Sequence, residues 1–366
     1  MKQIKLYILI VLYWVISLNL VSYFGIILID GFMEVANIDP QSITNALAKY
    51  WISPTQLLEA TLFGAFFGIL FVAINEITQK TKIERYSFGK IILIKSLLYL
   101  AAFIIAMVLV FNILYFVDVV PENAWYQMYS SRFVRFMILF SLIFMGFQII
   151  LLNFILQTIK KFGPNNLLHF LVGKYQSPVL EDRIFLFMDL KSSTTYAERL
   201  GNLKYSQLIQ DCFDDINQLV EKFNAEIYQY VGDEVILTWK TRQVLSSHDY
   251  IKVFYSYREW LEQRADYYLK KYDLLPEFKA GLHGGWVTVA EIGNIKREIA
   301  YHGDVMNTTS RLQSICNQYH EQLLISGELL KRIGDLNGYS SRAIGEIQLK
   351  GKQQKIEVFA IAEDSL

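Results

Sequence analysis

The 366-residue chain has only two cysteines, Cys212 and Cys316, no excess of charge of either sign, and 19% charged residues. Two distant cysteines exclude a disulfide-stapled scaffold and supply no CxxC pair for metal or redox chemistry, which fits a reducing compartment. With 35 basic against 35 acidic side chains the net charge is zero, so no basic excess marks a nucleic-acid partner. Internal repeats and low-complexity tracts are also lacking. Apolar and aromatic residues are plentiful instead: 53% of the chain is hydrophobic, with 25 Phe and 23 Tyr. That composition is too apolar for disorder and unusual for a wholly soluble protein, so a membrane part is expected. The length favours two domains over one.

Long charge-free stretches fall in the first half: Leu6 to Ile29, Ala60 to Asn75, Ser96 to Val117 and Phe136 to Ile159. A bilayer core needs about 20 apolar residues per helix. Residues 1–161 are therefore read as a four-helix membrane domain, with spans near 6–29, 57–77, 92–117 and 134–159. The first stretch lacks a small-residue cleavage site and is expected to stay in the mature protein. Basic residues flank the chain start and the second loop (Lys2, Lys5, Lys80, Lys82, Arg85, Lys90) and follow the fourth span (Lys160, Lys161), whereas the other two loops are acidic or sparse. The positive-inside rule then places both termini in the cytoplasm, and the inner (plasma) membrane is the expected location. Trp51, Trp125 and Tyr126 suit the outer interface. Gly64 and Gly68 form a GxxxG that serves close helix approach, within the bundle or between copies. Glu59, Glu76 and Lys95 lie near span ends and are read as interfacial rather than as an ion path.

After Lys161 the breaker cluster Phe162-Gly163-Pro164-Asn165-Asn166 opens a coupling segment, 162–182, and a globular domain occupies 183–366. Patterning predicts a strand over Arg183 to Met188, a helix over Ser193 to Phe223 broken near Gly201, and a hairpin of Ala225 to Val231 with Glu234 to Trp239. A long helix over His248 to Tyr272 follows, then strands at Phe278 to His283 and Val287 to Glu291, and a helix over Val305 to Tyr319. A strand at Gln322 to Ser326, a short helix and two last strands, Arg342 to Leu349 and Ile356 to Ile361, complete the domain. The order β-α-β-β-α-β with additions is the ferredoxin-like plan, an α+β fold.

Two carboxylates stand out. Asp189 ends the first strand, and the Ser/Thr-rich turn after it opens a helix whose free N–H groups can cradle phosphates. Thr195 and Glu198 have capping-box spacing. Asp233 sits at the hairpin tip, next to the first strand in such a sheet. Taken singly, Asp189 also suits a helix cap, and Gly232-Asp233 is a common turn. Together the two carboxylates are what Mg²⁺ or Mn²⁺ needs, with phosphates and water completing the shell. Asn307 and Arg311, four apart on one helix face, add groups suited to a sugar and to a transferring phosphoryl charge.

With these residues in view, 183–362 resembles the catalytic domain of class III nucleotidyl cyclases, the adenylate/guanylate cyclase family. The resemblance is carried by Phe187-Met188-Asp189 with its Ser/Thr turn, Gly232-Asp233, Gly281-Leu282-His283-Gly284-Gly285, Gly303-Asp304 with Asn307 and Arg311, and Leu349-Lys350-Gly351. It implies a homodimer with sites at its interface. One copy supplies Asp189 and Asp233 to two divalent metal ions per site, Mg²⁺ or Mn²⁺, and the other supplies Asn307, Arg311 and Lys350. Leu190, Ser192, Ser193, Thr194 and Gly232 are assigned to the nucleoside triphosphate, and the implied reaction makes a 3′,5′-cyclic nucleotide and pyrophosphate. Gln229 and Ala300 stand where many adenylate cyclases have Lys and Asp or Thr, so base choice stays open: ATP leads, and a guanylate or pyrimidine cyclase is the alternative. A diguanylate cyclase, echoed by Val231 to Val235, is disfavoured by the Asn307/Arg311 helix. A non-catalytic nucleotide-binding membrane receptor is the remaining reading. The expected surroundings are a lipid bilayer and an unknown ligand or membrane partner on the four-helix region, with no nucleic acid.

Overall fold

The computed structural model describes residues 2–39, 55–79, 81–116, 132–348 and 355–364. Lys80, Trp51, Trp125, Tyr126 and the Leu349-Lys350-Gly351 segment fall outside them. The chain divides into two units, Met1–Phe162 and Gly163–Leu366, each described by itself.

In the first unit, α1 (Lys2–Val35), α2 (Thr55–Gln79), α3 (Phe88–Phe116) and α4 (Arg132–Phe162) are all long and apolar enough to cross a membrane. Large apolar side chains such as Leu9, Leu62, Ile105 and Phe147 point outward, as lipid-facing residues do, while Trp14, Phe67, Phe71, Tyr99 and Phe103 fill the interior. The GxxxG glycines serve packing inside the bundle. A Cβ on Gly64 would stand 2.7 Å from Val15 Cα, and one on Gly68 2.9 Å from Val11 Cα, so α1 rests directly on the α2 backbone. Lys95, expected near a span end, is buried in the bundle beside the turn that precedes α3. It is 0% exposed, and its ammonium meets Glu84 of the 3₁₀ turn Lys82–Arg85 at 2.5 Å and Asn75 Oδ1 at 3.4 Å. A buried charge of this kind depends on its partners.

In the second unit, the short helix α5 (Pro164–Leu171) precedes β1 (Val179–Leu190). Then come α6 (Ser193–Val220), β2 (Glu226–Val231), β3 (Glu234–Lys240), α7 (Thr241–Val244), α8 (Asp249–Gln263), α9 (Ala265–Tyr272) and β4 (Phe278–Ile292). The chain closes with β5 (Glu298–His302), α10 (Asp304–Ile315), β6 (Leu323–Ser326), α11 (Gly327–Ile333), β7 (Tyr339–Ile347) and β8 (Ile356–Glu363). The sheet runs β2-β3-β1-β4-β6-β8-β7, with β5 on β4. Its first four strands are antiparallel, which is the ferredoxin-like core. Alternation along β1 splits the core in two. Ile184, Leu186, Met188 and Leu190 pack with α6 and α8 on one face, and Phe185 and Phe187 with Val287, Val289 and Val305 on the other.

Three elements depart from the pattern reading. The expected long helix is two, parted at Arg264, which leaves helical geometry while its guanidinium pairs with Asp215 and lies over Tyr267 and Tyr268. The two strands expected around Gly284-Gly285 are one, because both glycines stay in the ladder opposite Ile184 and Arg183. A Cβ on Gly284 would stand 3.1 Å from Ile184 Cγ1, so this glycine serves close packing and not a turn. β5 has no counterpart in the pattern reading, because a five-residue strand around a single alanine carries too short an alternation to be seen.

A buried charge network ties the start of this unit to its sheet. Arg183, 1% exposed, donates to Glu181 and to Glu226 at 2.8 Å each. Glu181 Oε1 also accepts from Lys174 Nζ and Tyr175 Oη at 2.8 Å. Burial alone would raise the Glu181 carboxyl, but Lys174 and Arg183 outweigh it and hold it at about 2, against an ordinary 4.5. A depressed carboxylate stabilises the fold above its unfolded value and loses that contribution as pH falls through its folded value. Glu181→Gln should therefore cost about 2–3 kcal/mol at pH 7. The gap to the wild type should close as pH falls from 4.5 towards 2, read by denaturant titration at each pH. In the first unit, Gly64→Leu should force α1 off α2 and cost about 1–3 kcal/mol, seen as a lower melting temperature in detergent.

Candidate active site

β1 is the central strand of the site because it pairs on both edges. In the β1–β3 ladder Asp189 stands opposite Glu234, and in the β1–β4 ladder it stands opposite Lys279. Directly opposed residues project to the same face, so Glu234, Asp189 and Lys279 form one row across three strands. Lys279 Nζ lies 3.4 Å from Asp189 Oδ2, and Gln313 Nε2 on α10 donates to the same oxygen at 2.8 Å. Asp233 enters from the β2–β3 turn, where Gly232 takes a φ of 64° that a side chain would resist.

The electrostatics are those of crowded acid. Burial pushes the Asp189 carboxyl up and the Asp233 charge pushes it further, against Lys279 and Gln313. Burial, then Asp189 and Asp233, raise Glu234 to about 7. Tyr205 on α6 is raised by burial and by the same Asp233 charge. Asp233 Oδ2 is buried and has no hydrogen-bond partner among the described residues. An orphaned carboxylate oxygen beside a second carboxylate is an oxygen donor set that fits a hard divalent cation. Among the described residues no group of three His, Cys, Asp or Glu side chains forms a metal cage.

The turn after β1 is pinned by Lys191 N–H donating to Glu277 O at 2.8 Å. Leu190 is buried, Ser192 and Thr194 are exposed, and Ser193 is half-buried. α6 begins at Ser193, two residues before Thr195, so the Thr195/Glu198 capping box does not form the helix start. Ser192 holds a left-handed φ of 59° at the N-cap and makes no side-chain cap bond. The first N–H groups of α6 are thus left without a capping side chain, which suits an anion.

α10 carries Asn307, exposed, and Arg311, half-buried; neither side chain has a hydrogen-bond or ion-pair partner among the described residues. They are not joined to the Asp189 and Asp233 carboxylates of their own chain by any such bond. Gln229 is exposed on β2 just past a bulge, and Ala300 is buried on β5 opposite Ala290. Their neighbours Tyr228 and Tyr301 meet edge to face at 4.8 Å. Lys350 lies outside the described residues. His283 is buried with Nδ1 2.6 Å from Ser326 Oγ, which also caps α11.

Three side chains in the Asp189 cluster escaped the sequence reading. Glu234 and Lys279 carry a signal only once the strand register is known, since each is one of many charged residues in the chain. Gln313 lies six residues beyond Asn307 on a helix, on the buried face, and nothing in its spacing marks it.

The profile of the adenylate and guanylate cyclase catalytic domain matches residues 177–363, just over half of the chain. Adenylate cyclase 2 of Rhizobium meliloti (strain 1021) is 35% identical over 213 residues, covering 58% of this chain and 59% of that one. Adenylate cyclase 1 of the same organism is 24% identical over 191 residues, 48% of this chain and 27% of the relative. The chain thus spans less than two thirds of the length of these curated relatives. Among solved structures, the adenylyl cyclase CyaB from P. aeruginosa is similar at 20% identity and a TM-score of 0.44, covering 52% of this chain and 97% of that one. By the match over 177–363, the chain belongs to the adenylate and guanylate cyclase family.

Proposed function

We propose that the protein is a membrane-bound nucleotidyl cyclase that converts a nucleoside triphosphate, with ATP the expected substrate, to the 3′,5′-cyclic nucleotide and pyrophosphate. The sites lie at the interface of a homodimer. One observation carries the reading: Asp189 and Asp233 converge with an unsatisfied carboxylate oxygen, while Asn307 and Arg311 stand without side-chain partners among the described residues of the same chain. Two copies can complete each other where one cannot. The likeness to an adenylate cyclase at 35% identity supports ATP.

Asp189 and Asp233 would hold two divalent ions, Mg²⁺ or Mn²⁺, and such ions would supply neutralisation of the triphosphate and a lower pKa for the ribose 3′-hydroxyl. The turn of Leu190, Ser192, Ser193 and Thr194, with Gly232, lines the phosphates with backbone N–H groups. From the partner copy, Asn307 holds the ribose, and Arg311 stabilises the charge that builds on the α-phosphoryl oxygens as the 3′-oxygen bonds to phosphorus and the bond to pyrophosphate breaks. Lys350 contacts the terminal phosphates. At the base, Gln229 both donates and accepts, and Ala300 adds no side-chain hydrogen bond. The bundle anchors the dimer in the inner (plasma) membrane with both termini cytoplasmic, and 162–182 joins it to the catalytic part.

Full-length protein incubated with ATP, GTP, CTP or UTP and Mg²⁺ or Mn²⁺ should yield cyclic AMP by mass spectrometry. Asp189→Ala should lower that yield at least a hundredfold, on the order of 3 kcal/mol of transition-state stabilisation. Another cyclic nucleotide as main product would reassign the base, and no cyclic product from folded dimer would favour a nucleotide-binding receptor. Co-expressed Asp189→Ala and Arg311→Ala chains, each inactive alone, should regain activity in mixed dimers, since one site of such a pair is whole.

A further inference from the structure

Helix α10 meets β4 without a side chain between them. A Cβ on Gly281 would stand 2.4 Å from Gln313 N and 2.5 Å from Thr309 O, so the helix backbone lies directly on the strand. Val305, Thr308, Thr309, Leu312 and Gln313 make the buried face of this helix. Gln313 is 6% exposed, yet it is polar, and its amide spends its donor on Asp189 Oδ2, 124 positions away in sequence. At about 100° per residue, Gln313 points about 160° away from Arg311 and about 120° from Asn307, so the contact with Asp189 and the Asn307/Arg311 pair lie on different sides of one helix.

Two donors reach Asp189 Oδ2, and they differ in kind. Lys279, at 3.4 Å, is a cation on a flexible stem and repels a second cation in the same place. The Gln313 amide, at 2.8 Å, is neutral, so it can keep its bond when a divalent ion arrives. We propose that Gln313 is a positioning residue for Asp189: it engages Oδ2, fixes the rotation of the carboxylate, and leaves Oδ1 as the oxygen presented to the ion. This rests on the reading of Asp189 as a metal ligand. Partners that orient a ligand in this way alter metal affinity by about 10- to 100-fold when removed.

The test is a Mn²⁺ titration of full-length protein in detergent, followed by electron paramagnetic resonance of the free ion, on wild type, Asp189→Asn and Gln313→Met. Methionine keeps the length and volume of the side chain and deletes its donor. Gln313→Met should raise the Mn²⁺ concentration at half-saturation about tenfold, with an unchanged melting temperature in metal-free buffer. If Gln313→Met does not fold, Gln313→Asn, too short to span the contact, should give the same shift. Wild-type affinity in a folded variant overturns the positioning role. Mn²⁺ binding that is indifferent to Asp189→Asn overturns the metal reading itself, and the proposal with it. In mixed dimers with a single whole site, Gln313→Met should raise the Mn²⁺ requirement for activity when placed in the copy that bears both carboxylates and leave it unchanged in the other copy. The reverse pattern also overturns the proposal, whereas mixed dimers without any activity refute the division of the site between copies and leave the Mn²⁺ titration to decide on Gln313.

Discussion

The catalytic unit depends on the pairing of β1 along both edges. A central strand has its register fixed twice, and a slip of one residue on either side would turn every side chain to the wrong face. Asp189 is therefore held opposite Glu234 and opposite Lys279 at once. The same alternation sends Met188 and Leu190 into the core beneath α6 and α8. Burial of those neighbours is what keeps the carboxylate in place, and burial is also what raises its pKa and that of Glu234.

The second constraint is the contact of α10 with β4 at Gly281. It seats the helix so closely that a buried glutamine reaches Asp189, while Asn307 and Arg311 on the same helix remain without side-chain partners among the described residues. Packing thus sorts the polar groups of one helix into a set satisfied within the chain and a set left unsatisfied, and unsatisfied donors are what a charged ligand uses. The Arg183 network stands in contrast. There a buried cation is met by Glu181, Glu226 and the Tyr301 ring, and the result is a fastening of the strand to the residues before it.

Much of this was legible in the sequence. Four charge-free stretches announced four apolar helices, because a bilayer core demands an unbroken length of low polarity. Asp189, Asp233, Asn307 and Arg311 could be picked out from their settings at a strand end, a turn and a helix face. Other features were hidden. The alternation around Gly284 and Gly285 reads the same for a turn as for a strand that needs room, and Arg264 parts two helices in a stretch whose apolar period continues. The place of Lys95 near a span end was legible, but the burial of its ammonium against Glu84 and Asn75 was not.

The sequence by itself determined the periodicities, and with them the apolar helices, the β-α-β-β-α-β order and the identity of the two convergent carboxylates, since local spacing and side-chain chemistry are properties of neighbours in the chain. The tertiary structure alone decided which distant groups surround those carboxylates. Glu234, Lys279 and Gln313 come to Asp189 through strand register and through a helix laid on a glycine, and such contacts between residues far apart in sequence are set by packing, which no local pattern encodes.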